Sequence, residues 1–154
     1  MTEKNKRMNR IDFVLLVDVQ DGNPNGDPAR GNHPREDAYT GEGLISDACL
    51  KRKIRDYVAR KYAGEPGMEI YQNRDDKLLS ELHRECGAPP KSEDDKEKSK
   101  DKEKAKAPKI NRAEQKAKAL AALCERFWDV RVFGALAVGD YEAGAARGAV
   151  QITF

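Results

Sequence analysis

Residues 11–27 read IDFVLLVDVQDGNPNGD, an apolar run that stops at a cluster of Asp, Gly, Asn and Pro. Ile11–Gln20 is rich in Val, Leu, Ile and Phe and has the length of a central strand. The stretch after it admits three readings: a metal loop, a phosphate cradle or a turn. Asp21, Asn23 and Asn25 place oxygen ligands at alternate positions, and Gly26 sits where a calcium loop bends sharply. The match then fails. Its twelfth position is Asn32 instead of a bidentate Glu, Pro24 and Pro28 stiffen the loop, and a strand-like run precedes it where a helix belongs. A turn needs the backbone angles that Gly, Asn, Asp and Pro adopt readily, so a turn is the expectation. The irregular stretch nevertheless continues over 21–43, with five glycines and three prolines, and loops of that length are usually functional or disordered.

Working outward, LISDACLKRKIRDYVARKY (44–62) has the pattern of a helix, with Ser46 as N-cap and Leu50, Ile54, Tyr57 and Val58 as its buried stripe. Lys51, Arg52, Lys53, Arg55, Arg60 and Lys61 crowd its other faces against only Asp47 and Asp56. MEIYQ (68–72) reads as a short strand and DDKLLSELHREC (75–86) as a short helix. Residues 88–109 are assigned to a charged, low-complexity, disordered insert, because Lys, Glu, Asp and Ser cannot bury enough apolar area to offset chain entropy. Asn111 and Glu114 then resemble a capping box, opening a second helix with Ile110, Ala113, Ala117, Leu120, Cys124 and Phe127 on its apolar face. The closing DVRVFGALAVGDYEAGAARGAVQITF reads as a strand, a glycine-punctuated loop and a final strand, VQITF. Strands alternating with two helices imply an α+β or α/β sheet domain, with a ferredoxin-like order among the compatible arrangements.

Composition bounds the function. The 154 residues fit one domain with a flexible N-terminus over 1–9. A net charge of +2 argues for a nucleic-acid partner only through local clustering. Cys49, Cys86 and Cys124 are odd in number and far apart, the pattern of buried thiols and not of a disulfide or zinc framework. With His33 and His83 as the only histidines, no metal site or cofactor is expected. No apolar run approaches membrane-spanning length and MTEKNKRMNR lacks a signal-type core, so a cytoplasmic protein is expected.

Two chemistries compete. Asp18, Asp21 and Asp27 cluster at the end of the first strand and could hold magnesium for an RNA nuclease, but the supporting Glu or His at recognisable spacing is missing. A single-strand binder needs a positive groove, backbone N–H groups and stacking surfaces. The basic helix supplies the charge, the Gly-rich loops allow close backbone approach, and Arg131, Phe133 and Arg147 border the second loop. A protein-interaction domain whose basic helix meets an acidic partner is a third reading.

FVLLVDVQDGNPNGDPARGNHPR followed by GLISDACLKRKIRDYV resembles the N-terminal part of the CRISPR-associated Cascade backbone subunit, type I-C branch of the RAMP superfamily. The last segment is similar to that family's D-V-R-x-F-G and R-G-x-V-Q-x-T-F signatures. The resemblance implies an RNA-recognition-motif-like (ferredoxin-like) sheet with two packed helices, and a non-catalytic subunit repeated along a guide RNA beside other Cascade subunits. The guide's bases then pair with target DNA. It implies RNA-binding roles for Asn23 and Asn25 in the signature loop and for Lys51, Arg52, Lys53 and Arg55 in the helix. The same role falls to Arg131, Phe133 and Gly134 at the F-G turn and to Arg147, Gly148 and Gln151 in the closing motif. It also implies a longer subunit, with further strands beyond VQITF.

Overall fold

The computed structural model of the protein describes residues 9–72, 78–91 and 111–153. The chain divides into two compact units, Met1–Ile45 and Ser46–Phe154. Helices and strands are mixed, as expected of an α+β chain, and the described strands form two separate two-stranded antiparallel sheets.

In the first unit Ile11–Gln20 is not a strand. Its apolar side chains are exposed, Leu16 at 89%, and its backbone has no ladder partner among the described residues. Composition supplies β-forming side chains but not the second strand that a ladder requires. DGNPNGD does form a turn. Gly26–Asp27 (β1) pairs with His33–Pro34 (β2), and one 3-10 turn at Pro28–Arg30 joins them. The Asp27 carboxylate accepts from the Ala29 amide at 3.1 Å, Pro28 presets the first turn, and Gly31 (φ 62°) and Asn32 (φ 64°) reverse the chain. Asn23 Nδ2 donates to the Asn32 carbonyl at 2.8 Å. The rest of the supposed loop is a second turn, bridged between Glu36 and Gly43. There the Asp37 carboxylate accepts from the Tyr39 and Thr40 amides at 2.8 and 3.0 Å, bonds that hold its pKa below the usual range.

In the second unit, Asp47–Lys61 (α1) begins at Ser46, whose hydroxyl accepts from the Cys49 amide at 3.3 Å. Val58 is buried and Leu50 and Ile54 are half-buried, but Tyr57, expected in the stripe, is 57% exposed. MEIYQ makes only a parallel bridge, Glu69 to Phe127. Leu79–Glu85 (α2) lies within the expected short helix. Arg112–Arg126 (α3) is capped by Asn111 Oδ1, which accepts from the Ala113 amide at 3.3 Å. Its buried residues are Ala119 and Leu123, while Ala113 and Ala117 face outward. Ile110 lies outside the described residues, as do 1–8 of the N-terminus, most of the charged insert (92–109) and Phe154. The insert's first residues are built into the fold: Ala88 and Pro89 are buried, Pro90 bridges Tyr141 and the Lys91 amide donates to the Asp140 carbonyl at 2.7 Å.

The expected strand DVRV is a helix, Trp128–Phe133 (α4). Its β-branched residues favour a strand, but consecutive Asp129 and Val130 are both buried, which an alternating strand on one core face cannot achieve. A hairpin follows, Gly134–Ala137 (β3) against Gly144–Arg147 (β4). VQITF forms no strand among the described residues. Instead the Ala149 and Val150 amides donate to the Arg131 and Val132 carbonyls at 3.1 and 2.8 Å, so the segment runs beside α4.

The core gathers Tyr71, Leu82, Leu123, Phe127, Val130 and Ala137, with Tyr71 and Phe127 edge to face at 5.6 Å. His83 is buried with them. Its Nδ1 is 3.0 Å from the Tyr141 carbonyl and must donate there, leaving Nε2 to accept from the Tyr71 hydroxyl at 2.6 Å. Burial, then the nearby Asp129 charge, pushes the Tyr71 phenol up and keeps it a donor. The three cysteines are half-buried free thiols.

Candidate nucleic-acid interface

α1 carries six cations and two carboxylates of its own, and the fold sorts them by face. On the inward face Lys51 pairs with Asp47 and Arg52 with Asp56, each at 2.9 Å and each one turn away. The Asp47 carboxyl is lowered, chiefly by its hydrogen bond from Lys51. Arg55 points into the protein and meets the buried carboxylate of Asp129 at 2.9 Å. Asp129 also accepts from the Tyr71 and Gln72 amides at 2.7 and 3.1 Å, so both of its oxygens are engaged.

These cations and Phe133 surround a cavity of about 390 Å³, which Asp47, Gln72 and Gly134 also line. Lys51 Nζ lies 5.9 Å from the Phe133 ring centroid and the Arg55 guanidinium 5.1 Å, while Trp128 meets the ring edge to face. The structure therefore brings together Lys51, Arg52, Arg55, Phe133 and Gly134 from the expected set. It also shows that the ring already has cations against it and that each of the three cations has a carboxylate.

The two closing signatures meet through their glycines. At Gly134 (φ 82°) a side chain would lie 2.6 Å from the Ala146 carbonyl oxygen and 2.7 Å from the Gly148 nitrogen. At Gly148 it would overlap the Phe133 carbonyl carbon and the Gly134 nitrogen. Each glycine is thus needed for close approach of one backbone segment to the other. Arg147 faces Gly134 across the ladder and is exposed, as is Gln151.

Arg131 is tied into the fold. Its guanidinium donates to the carbonyls of Cys124 at 2.6 Å, Glu125 at 3.0 Å and Gly67 at 2.6 Å, closing the C-terminal end of α3 onto the loop before residue 68. Arg131→Met should lower thermal stability by about 1.5–3 kcal/mol, the range for charged hydrogen bonds, while leaving the RNA affinity of the folded protein unchanged. Thermal unfolding and an RNA titration on the same preparation check this.

Lys53 is exposed on the face of α1 opposite Lys51 and Arg55. Asn23 and Asn25 belong to the first unit, where both amides donate to loop carbonyls. The competing nuclease set is not assembled: among the described residues no group of three or more Asp, Glu, His or Cys could hold a metal ion, and Asp27 is spent on the Ala29 amide and on Arg35, 3.8 Å away. A second cavity, of about 350 Å³, is lined by Ala59, Met68, Ile70, Leu82 and Phe127 and edged by Arg126, itself held between Glu69 and Glu85. None of the expected site residues lines it. No described helix is long and apolar enough to cross a membrane.

Sequence reasoning missed Asp129, the partner that turns Arg55 inward. The i,i+4 spacing of Asp47 with Lys51 and Arg52 with Asp56 was available as a signal of pairing.

A family model described as CRISPR-associated protein Cas7 matches residues 9–154. A curated relative, the CRISPR-associated protein Cas7 of Haloferax volcanii, is 42% identical over 64 residues. That match covers 42% of this chain and 17% of the relative, so it spans a small part of the relative's length.

Proposed function

The chain belongs to the family of CRISPR-associated protein Cas7, and from that membership we propose that it is the guide-RNA-binding backbone subunit of a type I-C, Cascade-like antiviral complex. The subunit oligomerises along the guide RNA, contacts other subunits of the complex and presents the guide for pairing with target DNA. It works in the cytoplasm, is not an enzyme and takes no cofactor. Its mixed helices and strands belong to an RNA-recognition-motif-like core.

The observation that carries this reading is α1, which bears six cations in 15 residues and sets Lys51, Arg52 and Arg55 around a cavity walled by Phe133 and Gly134. Single-strand binders hold the nucleic-acid backbone through such positive surfaces, without reading sequence. The test is titration of labelled single-stranded RNA at two salt concentrations, with and without magnesium. Intact RNA should bind at low salt, and the logarithm of the association constant should fall with log salt by about 0.7 per phosphate neutralised. Absence of binding at low salt overturns the reading, and magnesium-dependent cleavage would replace it with a nuclease.

A further inference from the structure

We propose that His83 is an acid-sensitive latch: one proton taken up by its ring breaks the Tyr71–His83–Tyr141 chain and frees the turn between β3 and β4 from α2. The latch stands apart from the guide-binding reading, and its test needs no RNA. His83 is 1% exposed and engaged through both ring nitrogens, with Nδ1 3.0 Å from the Tyr141 carbonyl and Nε2 2.6 Å from the Tyr71 hydroxyl. Its ring also stacks on that of Tyr71, with 5.8 Å between centroids and 15° between planes. A carbonyl only accepts, so Nδ1 carries the single proton of the neutral ring. Nε2 then needs a donor, and the Tyr71 hydroxyl is that donor.

A charged imidazole has an N–H on both nitrogens. The second would meet the Tyr71 hydroxyl proton head-on. Turning that proton away strands it in the core, because the hydroxyl has no other hydrogen-bond partner among the described residues. A buried hydroxyl without an acceptor, beside a buried charge without a counter-ion, is costly on both counts. The charged groups on the elements around His83 are Glu81, Arg84 and Glu85 on α2, Asp129 behind Tyr71, Asp140 and Glu142 beside Tyr141, and Lys116 and Arg126 on α3. Asp129 is paired with Arg55, Glu85 with Arg126 and Glu142 with Lys116, and His83 has no ion-pair partner among the described residues. Tyr71, Tyr141 and Cys86 are the neutral titratable groups there, and none supplies a negative charge to a protonated ring.

The latch sits where separate parts of the second unit meet. Tyr141 lies in the turn that joins β3 to β4, and His83 reaches it from α2. On the far side of that turn Pro90 bridges Tyr141, the Lys91 amide donates to the Asp140 carbonyl at 2.7 Å and the Glu142 amide to the Pro89 carbonyl at 3.0 Å. Loss of the His83 bonds therefore loosens this turn and residues 89–91 with it, while α1 keeps its own ion pairs. The sign follows from proton counting. The opened form takes up a proton that the closed chain of bonds does not accommodate, so acid favours opening and stability rises with pH.

The experiment compares the full chain with His83→Gln from about pH 7.5 to about 5.5, the range in which histidine changes charge. Urea unfolding and amide exchange are measured on both, and nitrogen-15 NMR of the unaltered chain reads the ring protons. The variant keeps an acceptor for Tyr71 and takes up no proton. A free histidine titrates near about 6.5, so across this range the unfolding constant of the parent should rise about tenfold more than that of the variant. His33 and every carboxylate are common to both proteins and cancel. Protection of the Lys91 and Glu142 amides should fall with acid in the parent and hold in the variant. At neutral pH the His83 ring should carry its proton on Nδ1, with Nε2 bare. The opposite tautomer overturns the latch, as does a second N–H on the ring while the Lys91 and Glu142 amides stay protected. Equal pH dependence in the parent and His83→Gln overturns it too. Should the variant not fold, the tautomer and the protection of the unaltered chain decide alone.

Discussion

Asp129→Ala should destabilise the protein by about 3–5 kcal/mol, the cost of leaving one member of a buried ion pair behind. Asp129 is 1% exposed, and its carboxylate accepts from Arg55 Nε at 2.9 Å and from the Tyr71 and Gln72 amides at 2.7 and 3.1 Å. Removing it strands a buried guanidinium and two amides together. Those amides hold the residues that carry Tyr71 into the core and Gln72 to the cavity wall, so the loss spreads beyond the pair. Asp129→Asn should cost less, because one acceptor oxygen survives. The double variant Arg55→Met with Asp129→Ala should recover part of the loss, since no uncompensated charge then remains. Urea unfolding of the four proteins checks this. Equal stability of Asp129→Ala and the parent would mean that Arg55 is not held inside in solution.

Gly148→Ala should also destabilise the protein, for a different reason. The new methyl would overlap the Phe133 carbonyl carbon and the Gly134 nitrogen and lie 2.5 Å from the Val132 carbonyl oxygen, all of them backbone atoms. No rotamer change relieves such a clash; either the F-G turn or the R-G segment must move. Overpacking that shifts backbone costs about 1–3 kcal/mol, and this site falls at the upper end. Gly134→Ala adds backbone strain, because its φ of 82° lies where residues with a side chain rarely go. Both variants should show lower melting temperatures, and amide exchange at Ala149 and Val150 should accelerate, since their bonds to Arg131 and Val132 hold the two segments together. Unchanged protection at these two amides would refute the interlock.

What was legible in the sequence was local. Ser46 and Asn111 announce their helices through caps that need only the next few residues, and DGNPNGD announces a turn through backbone preference. What was not legible depends on distant partners. Arg55 and Asp129 are 74 positions apart, so nothing near Arg55 shows that it turns inward. DVRV reads as a strand by propensity, yet burial of Asp129 among the Tyr71 and Gln72 amides makes it a helix. The apolar run at Ile11–Gln20 has strand composition but no ladder partner among the described residues. The glycines of F-G and R-G were legible as sites of close backbone approach, but not that each approaches the other's segment. The charge of α1 was counted correctly; its division between two faces depends on Asp129 and on pairings that a charge tally does not distinguish.

The Arg112 guanidinium donates to the Pro90 carbonyl at 3.0 Å, while Pro90 itself bridges Tyr141. The two feet of the charged block are thereby stapled to one another on the second unit, whatever lies between them. The contacts that hold the feet together belong to the described residues themselves. This is a place where a genome can lengthen, shorten or rewrite the chain while the machinery around it stays in register.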